Sequence, residues 1–315
     1  FTSIIDQNAK VVRDILEPGD SPHDQGKVVL EHHSSITPEK QTWREKMLCE
    51  NWDAPVVYTT MVQLLESLFG SGTRGARRMH QLSNAVVIFD EVQTLPIRCV
   101  HLFNNAINFL SEQCNSTVML CTATQPLLHK VARDQGAIRL AEGHEIVSDE
   151  RKLFADLKRV AVFDKRQPNG WSFDEMADLA RAEVERVDSC LVIVNTKDAA
   201  KQIFLASQPL IDEERLFHLS TDMCPAHRKC ELAKIKQRLE SGLPTLCVST
   251  QLIEAGVDVD FGAVIRSMAG LDSIAQAAGR CNRNGKAAQG SVHLVNPSNE
   301  RVTRKSLEDI AVGRD

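Results

Sequence analysis

A run of five apolar residues that ends in two carboxylates constrains this chain more than any other segment. Residues 85–89 read Ala-Val-Val-Ile-Phe, and Asp90 and Glu91 follow directly. An uninterrupted apolar run is typical of a parallel strand that is covered on both faces. Open α/β sheets bind ligands at the carboxyl ends of such strands, so Asp90 could hold Mg²⁺ and Glu91 could orient a water toward a phosphate. Taken alone, a strand that simply exits into a charged turn is an equally good interpretation.

The order of strand followed by helix recurs along the chain. Apolar runs that end in small polar residues precede helical spacing in both halves, and a polar segment at 163–170 separates the halves. The chain has 315 residues, 43% of them hydrophobic, which is enough for two cores of ordinary size. We therefore predict an α/β fold of two parallel-sheet domains, with residues 1–165 in the first and 166–315 in the second.

Composition narrows the possible compartments and partners. The net charge of −5 gives no overall basic field, although a local basic groove could still bind nucleic acid. Nine cysteines occur without a Cys-x-x-Cys pair, and Cys190 and Cys247 lie in apolar runs. This pattern predicts reduced thiols in the cytoplasm, with no disulfide framework or zinc site. No apolar run approaches the length of a membrane span. The start at Phe1 has no Met and no signal peptide, which is typical of the middle of a longer protein.

Polar residues follow strands in both halves, and a cluster of arginines near residue 280 complements them. On a helix, Gln276, Arg280 and Arg283 would fall four and three residues apart, on one face. Planar guanidinium groups match phosphate oxygens, so this face could bind the terminal phosphate of a nucleotide. A helix with two exposed arginines is the plainer alternative. The presence of Asp90, Glu91 and the segment 253–258 (Ile-Glu-Ala-Gly-Val-Asp) favours the phosphate interpretation.

Four segments, in this order, resemble superfamily 2 helicases. They are Asp-Glu-Val-Gln at 90–93, Thr-Ala-Thr at 122–124, Ser-Thr-Gln-Leu-Ile-Glu-Ala-Gly-Val-Asp at 249–258, and Gln-x-x-Gly-Arg-x-x-Arg at 276–283. Residues 59–68, 88–93 and 275–285 are similar, more narrowly, to the CRISPR-associated helicase-nuclease of type I systems. The resemblance covers nearly the whole chain.

The resemblance implies two RecA-like domains, the first truncated at its amino terminus, that use ATP and Mg²⁺ to translocate along single-stranded DNA in antiviral defence. By the same resemblance, Asp90 binds Mg²⁺ and Glu91 is the base that positions the attacking water. The resemblance also implies that Thr122 and Thr124 couple the nucleotide state to domain closure and that Asp258 contacts the nucleotide. The catalytic residues that complete the ATP site would be Gln276, Arg280 and Arg283. Contacts to the DNA backbone would come from Thr2, Ser3, Thr59, Thr60, Asn195, Thr196 and Thr250.

One departure from the family concerns the phosphate loop. No Gly-x-x-x-x-Gly-Lys-Ser/Thr segment occurs in this chain. The family's loop and its metal-dependent nuclease domain would then lie before Phe1, so we expect no nuclease metal here and little ATP hydrolysis by the chain alone. Expected partners are single-stranded DNA, a CRISPR surveillance complex and that missing amino-terminal portion.

Three alternatives stay open. One is an RNA helicase of the same superfamily, and another is a nucleotide-inactive module that binds DNA or docks on a larger complex. The third is an unrelated ATP-binding regulator.

Overall fold

The computed structural model describes residues 2–17, 28–33, 43–71, 73–122, 126–140, 143–147, 149–254 and 256–300. The chain divides into two compact units, Phe1–Ser148 and Asp149–Asp315. Both are built from helices and parallel strands, which confirms the predicted α/β class. Within the described residues, no helix combines the length and the apolar character needed to cross a membrane.

The described residues of unit 1 form two separate pairs of parallel strands. Its elements are α1 (Thr2–Leu16), β1 (Val29–His32), α2 (Trp43–Asn51), β2 (Val56–Thr59), α3 (Met61–Phe69), α4 (Thr73–Met79), β3 (Val86–Asp90), α5 (Val100–Glu112), β4 (Thr117–Cys121) and α6 (Arg133–Gly136). Strand β1 pairs with β2 and β3 pairs with β4, which brings Asp90 beside Cys121. Phe89 packs edge-to-face on Phe103, with ring centroids 4.9 Å apart, in a core shared with Leu30.

Strand β3 was predicted to be covered on both faces, and within the described residues this is wrong. Phe89 is buried, but Val86 and Ile88 on the opposite face are 70% and 57% exposed. The core beneath β3 is formed on the side of α5, and successive side chains of a strand point to opposite faces. One face of β3 is therefore packed and the other is open.

Unit 2 is a six-stranded parallel sheet with helices on both faces. Its elements are α7 (Glu150–Asp156), β5 (Val160–Asp164), α8 (Phe173–Val187), β6 (Ser189–Val194), α9 (Lys197–Ser207), β7 (Leu216–Leu219), α10 (Pro225–Glu240), β8 (Thr245–Thr250), β9 (Ala263–Ser267), α11 (Leu271–Ala278) and β10 (Gly290–Val295). The strand order is β5-β10-β9-β6-β8-β7. Every residue of β6, β8 and β9 is buried, because two apolar clusters cover the two faces of the sheet.

The structure divides the chain earlier than the predicted boundary between residues 165 and 166. Strand β5 pairs with β10 along its whole length, so it belongs to the sheet of unit 2. The polar segment after β5 is a turn within this unit: the Gln167 amide donates to the Asn296 side chain (2.9 Å), and the Trp171 amide donates to the Asn296 carbonyl (2.9 Å). Pro and Gly mark turns inside a domain as readily as they mark linkers, which is why this segment suggested a boundary.

Candidate functional site

In unit 1, the carboxyl ends of β3 and β4 bring predicted residues together. Asp90 ends β3 with an exposed side chain, and its Oδ1 accepts the Glu91 amide at 3.1 Å. Gln93 bridges the two strand ends, because its side-chain amide donates to the Glu91 carboxylate while its carbonyl oxygen accepts the Thr122 hydroxyl. Glu91 and Thr122 are thus joined through one residue. Thr124 lies outside the described residues.

Gln93 is the last residue of the Asp-Glu-Val-Gln segment at 90–93, but it was not among the residues predicted to form the site. A signal was present, since an amide directly after two carboxylates can donate to one group and accept from another. Only the pairing of β3 with β4 shows which two groups it joins.

The hydroxyl groups predicted to contact DNA in unit 1 lie at the carboxyl end of β2. The Thr59 hydroxyl donates to the His32 carbonyl at 2.9 Å. The Thr60 hydroxyl accepts the Gln63 amide at 3.2 Å and caps the amino terminus of α3. Thr2 and Ser3 begin helix α1, and their side chains are not among the described ones.

In unit 2, the three residues predicted to share a helix face do not share one. Helix α11 ends at Ala278 with Gly279 as its cap, so Gln276 lies on the helix but Arg280 and Arg283 follow it. The chain turns at Asn282, whose φ of 46° is left-handed and whose side-chain amide donates to the Ala287 carbonyl at 2.8 Å. The single-face prediction is wrong because this turn replaces the last helical turn that the spacing assumed.

The two arginines have different environments. Arg280 is 9% exposed, and its guanidinium donates to the carbonyls of Ile253 (3.2 Å) and Glu254 (2.5 Å). Arg283 is exposed and its Nε lies 3.2 Å from the Asp258 carboxylate. Arg280 therefore fastens the turn after β8, while Arg283 presents a charged group at the surface.

Two residues near Arg283 were not predicted from the sequence. Asp260 accepts the backbone amides of Arg283 (2.7 Å) and Asn284 (3.2 Å). Lys236, on α10, lies 3.7 Å from the second oxygen of Asp258. Asp260 lies two residues after Asp258, and this proximity could have predicted its place in the site. Lys236 is too distant in sequence to be linked to Asp258.

The residues predicted to contact DNA in unit 2 lie at the carboxyl ends of β6 and β8. Asn195 is 6% exposed, and its amide and side chain donate to Glu300 at 2.5 and 3.1 Å. The Thr196 hydroxyl accepts the Ala199 amide at 3.2 Å and caps α9. Thr250 ends β8 and is 7% exposed.

Three buried charged residues, Glu254, Arg266 and Glu300, were also missed. Arg266 is fully buried and its Nε lies 2.8 Å from the Glu254 carboxylate. Burial raises the pKa of the Glu254 carboxyl, and the charge of Arg266 opposes this rise. An arginine directly after the apolar run at 263–265 was a signal, because a charge in a buried strand needs a partner.

The acidic end of unit 1 suits a metal that arrives with a nucleotide. Among the described residues, no group of three or more His, Cys, Asp or Glu side chains is arranged to hold a metal ion. Mg²⁺ in nucleotide sites commonly uses one or two carboxylates, with water and phosphate oxygens completing its shell. The exposed carboxylate of Asp90 fits such a site, in which the phosphates supply the remaining ligands.

Comparison with known proteins shows what the chain is similar to. Residues 186–286 match the family described as CRISPR-associated nuclease/helicase Cas3, C-terminal. The CRISPR-associated nuclease/helicase Cas3 of Haloferax volcanii is 26% identical over an alignment of 378 positions, which covers 90% of this chain and 40% of that protein. The chain is similar to these Cas3 proteins. This confirms the resemblance inferred from the motifs, and the chain spans about 40% of the length of that relative.

Solved structures show the same fold. T. fusca Cas3 with AMPPNP superposes with a TM-score of 0.70 and 16% identity, over 98% of this chain and 41% of that one. The DUF1998 helicase MrfA bound to DNA matches with a TM-score of 0.62 and 16% identity, over 96% and 39%. A chain of a CRISPR RNA-guided surveillance complex, pre-nicking, matches with a TM-score of 0.58 and 18% identity, over 94% and 42%.

Proposed function

We propose that this chain is the motor core of a CRISPR-associated helicase-nuclease, which uses ATP to move along single-stranded DNA in antiviral defence. The observation that carries the proposal is the Glu91–Gln93–Thr122 connection beside Asp90, at the carboxyl ends of two paired strands. An acid that can hold a metal, a second acid that can orient water and a hydroxyl tied to that acid are the groups that nucleotide hydrolysis needs.

Each residue has a distinct role in this proposal. Asp90 binds Mg²⁺, which when bound neutralises charge on the phosphates. Glu91, held by Gln93, accepts a hydrogen bond from the attacking water and aligns it. Because Gln93 also holds Thr122, a shift at the end of β4 moves Glu91, and this links the nucleotide state to the backbone of unit 1.

Unit 2 carries cationic groups that suit phosphate binding. We propose that Arg283 leaves Asp258 to contact the phosphates, because an exposed ion pair is weak enough to exchange partners. Asp258 contacts the nucleotide, and Gln276 completes the polar surface. Arg280 acts on the nucleotide too, from a turn that its bonds to Ile253 and Glu254 keep fixed.

We propose that DNA contacts the carboxyl end of β2 and the start of α1 in unit 1, and the carboxyl ends of β6 and β8 in unit 2. Small hydroxyl and amide groups there can contact phosphates without reading bases. The backbone amides of Asn195 and Thr196 both donate to the Glu300 carboxylate, which fixes the loop after β6. The participating residues are Thr2, Ser3, Thr59, Thr60, Asn195, Thr196 and Thr250.

The proposed partners follow from the proposed function. They are single-stranded DNA, a CRISPR surveillance complex and a portion that supplies the phosphate loop and the nuclease. We also propose a cytoplasmic location, supported by nine cysteines that are all free thiols.

The proposal is tested by ATP turnover with and without single-stranded DNA. We expect slow turnover by this chain alone, because it contains no phosphate loop, and DNA-stimulated turnover by the longest natural protein that contains it. Single-stranded RNA of the same length is the comparison. Equal or better stimulation of ATP turnover by RNA would favour an RNA helicase. Binding of single-stranded DNA that ATP does not affect would favour a binding module.

A further inference from the structure

Arg266 occupies an unusual position for a charged residue. It lies in β9, paired with Ile193 of β6 on one side and Leu294 of β10 on the other, and its side chain is fully buried. Its Nη1 donates to the Asn195 side chain (2.8 Å) and to the Ser267 carbonyl (2.7 Å). A buried guanidinium is costly to desolvate, so stability alone does not account for it.

Glu254 continues the connection on the other side of Arg266. Its carboxylate lies 2.8 Å from Arg266 and accepts the Ser273 hydroxyl of α11 at 2.8 Å. Its backbone carbonyl accepts the guanidinium of Arg280 at 2.5 Å. One residue therefore contacts both arginines, through its side chain and through its backbone.

Glu300 holds the loop after β6 from a second direction. Its carboxylate accepts the amides of Asn195 (2.5 Å) and Thr196 (3.0 Å) and also the hydroxyl of Ser267. The Asn195 side chain lies between Glu300 and Arg266 and bonds to both. An unbroken buried path thus runs from Arg280 through Glu254 and Arg266 to Asn195.

We propose that Glu254 and Arg266 are positioning residues that hold two parts of unit 2 in one rigid frame. These parts are the DNA-binding loop at Asn195 and the nucleotide-site residue Arg280. This inference rests on the proposed function for the roles of the two ends, but not for the frame itself. Buried polar networks fix geometry more than they add stability, which suits two sites that must respond to each other. Loss of the pair should loosen both ends together.

The first test is hydrogen exchange in the double variant Glu254→Gln/Arg266→Met, which replaces both charges with neutral groups of similar length. We expect exchange at least about tenfold faster in peptides that cover residues 195–196 and 251–254, because local opening should become easier at both ends. Unchanged exchange in either segment overturns the inference. Should the double variant fail to fold, Arg266→Lys provides the same test, since one ammonium group cannot replace both the Nε that faces Glu254 and the Nη1 that donates to Asn195.

A matched control is available in the same unit. Glu183 of α8 accepts the guanidinium of Arg186 (2.5 Å), which also donates to Ser291 near the start of β10 (3.0 Å). This pair lies near the amino ends of the strands, away from Asn195 and Glu254. Glu183→Gln/Arg186→Met should leave exchange at both segments unchanged, and equal loosening by this control would overturn the inference.

The second test measures coupling in the longest natural protein that contains the chain. In Glu254→Gln/Arg266→Met we expect the stimulation of ATP turnover by single-stranded DNA to fall at least about tenfold while the KM for ATP changes less than about threefold. Full stimulation in a variant with loosened segments overturns the link between the two ends. Absence of stimulation in the unsubstituted protein refutes the proposed function instead, and the exchange experiment still decides whether the frame exists.

Discussion

Glu91 has a left-handed backbone conformation, with a φ of 56°. A residue with a Cβ pays about 1–2 kcal/mol to adopt this conformation. The cost is offset by local bonds, because the Thr94 hydroxyl donates to the Glu91 carbonyl at 2.8 Å and Gln93 holds the carboxylate. Such strain in a non-glycine residue is concentrated at functional sites, which agrees with the role proposed for Glu91.

A glutamine at position 91 tests that role. Glu91→Gln keeps the size of the side chain and removes the carboxylate that orients water. In the longest natural protein that contains the chain, we therefore expect DNA-stimulated ATP turnover to fall about 100-fold or more. Glu112→Gln changes an exposed glutamate of α5 that pairs with Arg139, and it should retain full turnover. The turnover is measured as initial rates at saturating ATP. Near-normal turnover by Glu91→Gln would refute the proposal that Glu91 orients the attacking water.

His32 makes the stability of unit 1 sensitive to acid. Burial, together with the charges of Arg78 and His33, lowers the pKa of His32 from 6.5 to about 4. Its Nδ1 accepts the indole N–H of Trp52 at 3.0 Å, which requires the neutral ring. The unfolded chain therefore binds the proton more readily, so stability is fully present above pH 6.5 and is lost as the pH falls toward 4.

We expect the urea midpoint of unit 1 to fall between pH 7 and about pH 5, and to fall less in His32→Gln, which cannot take up the proton. Tryptophan fluorescence reports it in a Trp43→Phe/Trp171→Phe background, where Trp52 is the remaining tryptophan of the three. His80→Gln, at an exposed position, serves as the control and should keep the full acid response. An acid response that is the same in all three proteins would show that His32 does not cause it.

At the scale of elements, the turn after α11 separates two arginines that the sequence presented as equivalent. Removal of Arg280 leaves the buried carbonyls of Ile253 and Glu254 without this donor, whereas removal of Arg283 breaks an exposed ion pair. Unsatisfied buried groups cost far more than lost surface pairs. The same chemical change should therefore have different effects on folding at the two positions.

We expect Arg280→Ala to lower the unfolding free energy of unit 2 by about 2 kcal/mol or more, and Arg283→Ala to lower it by less than about 1 kcal/mol. In the longest natural protein that contains the chain, both variants should lose DNA-stimulated ATP turnover. Urea unfolding followed by the fluorescence of Trp171, in a Trp43→Phe/Trp52→Phe background, measures the first effect. Equal destabilisation by both substitutions would contradict the environments described for the two arginines.

At the scale of the whole molecule, the two units differ in how completely their sheets are covered. Unit 2 has six paired strands with an apolar cluster on each face. In the described part of unit 1, strands pair two by two and the face of β3 that carries Val86 and Ile88 is open. Two-stranded sheets are marginal without packing on other elements, so unit 1 should be the weaker of the two.

We expect calorimetry of the chain to give two transitions, with unit 1 unfolding at the lower temperature. Residues 149–300 produced alone should unfold cooperatively at the temperature of the second transition. A single transition for the chain, or a non-cooperative fragment, would show that the units do not fold independently.

Much of the fold could be predicted because strands are local features of the sequence. The apolar run at 85–89 placed β3 within one residue of its observed bounds, and the apolar runs around Cys190 and Cys247 are β6 and β8. The polar residues at the strand ends were also readable, since parallel strands present their carboxyl ends at one edge. The ends of α11 and β5 were harder to predict, because the turns that follow them depend on bonds to residues distant in sequence. The Asn282 side chain, for example, also donates to the carbonyl of Arg159.

The sequence alone determined the α/β class, the order of strands along the chain and the Cas3-like motifs, since each depends on residue types within a short span. Tertiary structure alone decided which arginine is buried, which strand completes the second sheet and how Asn195 is held. Arg266 bonds to a side chain 71 residues earlier, and Asn195 bonds to Glu300 105 residues later. The partners of a buried charge are chosen by the packing of distant segments, and no local pattern encodes that choice.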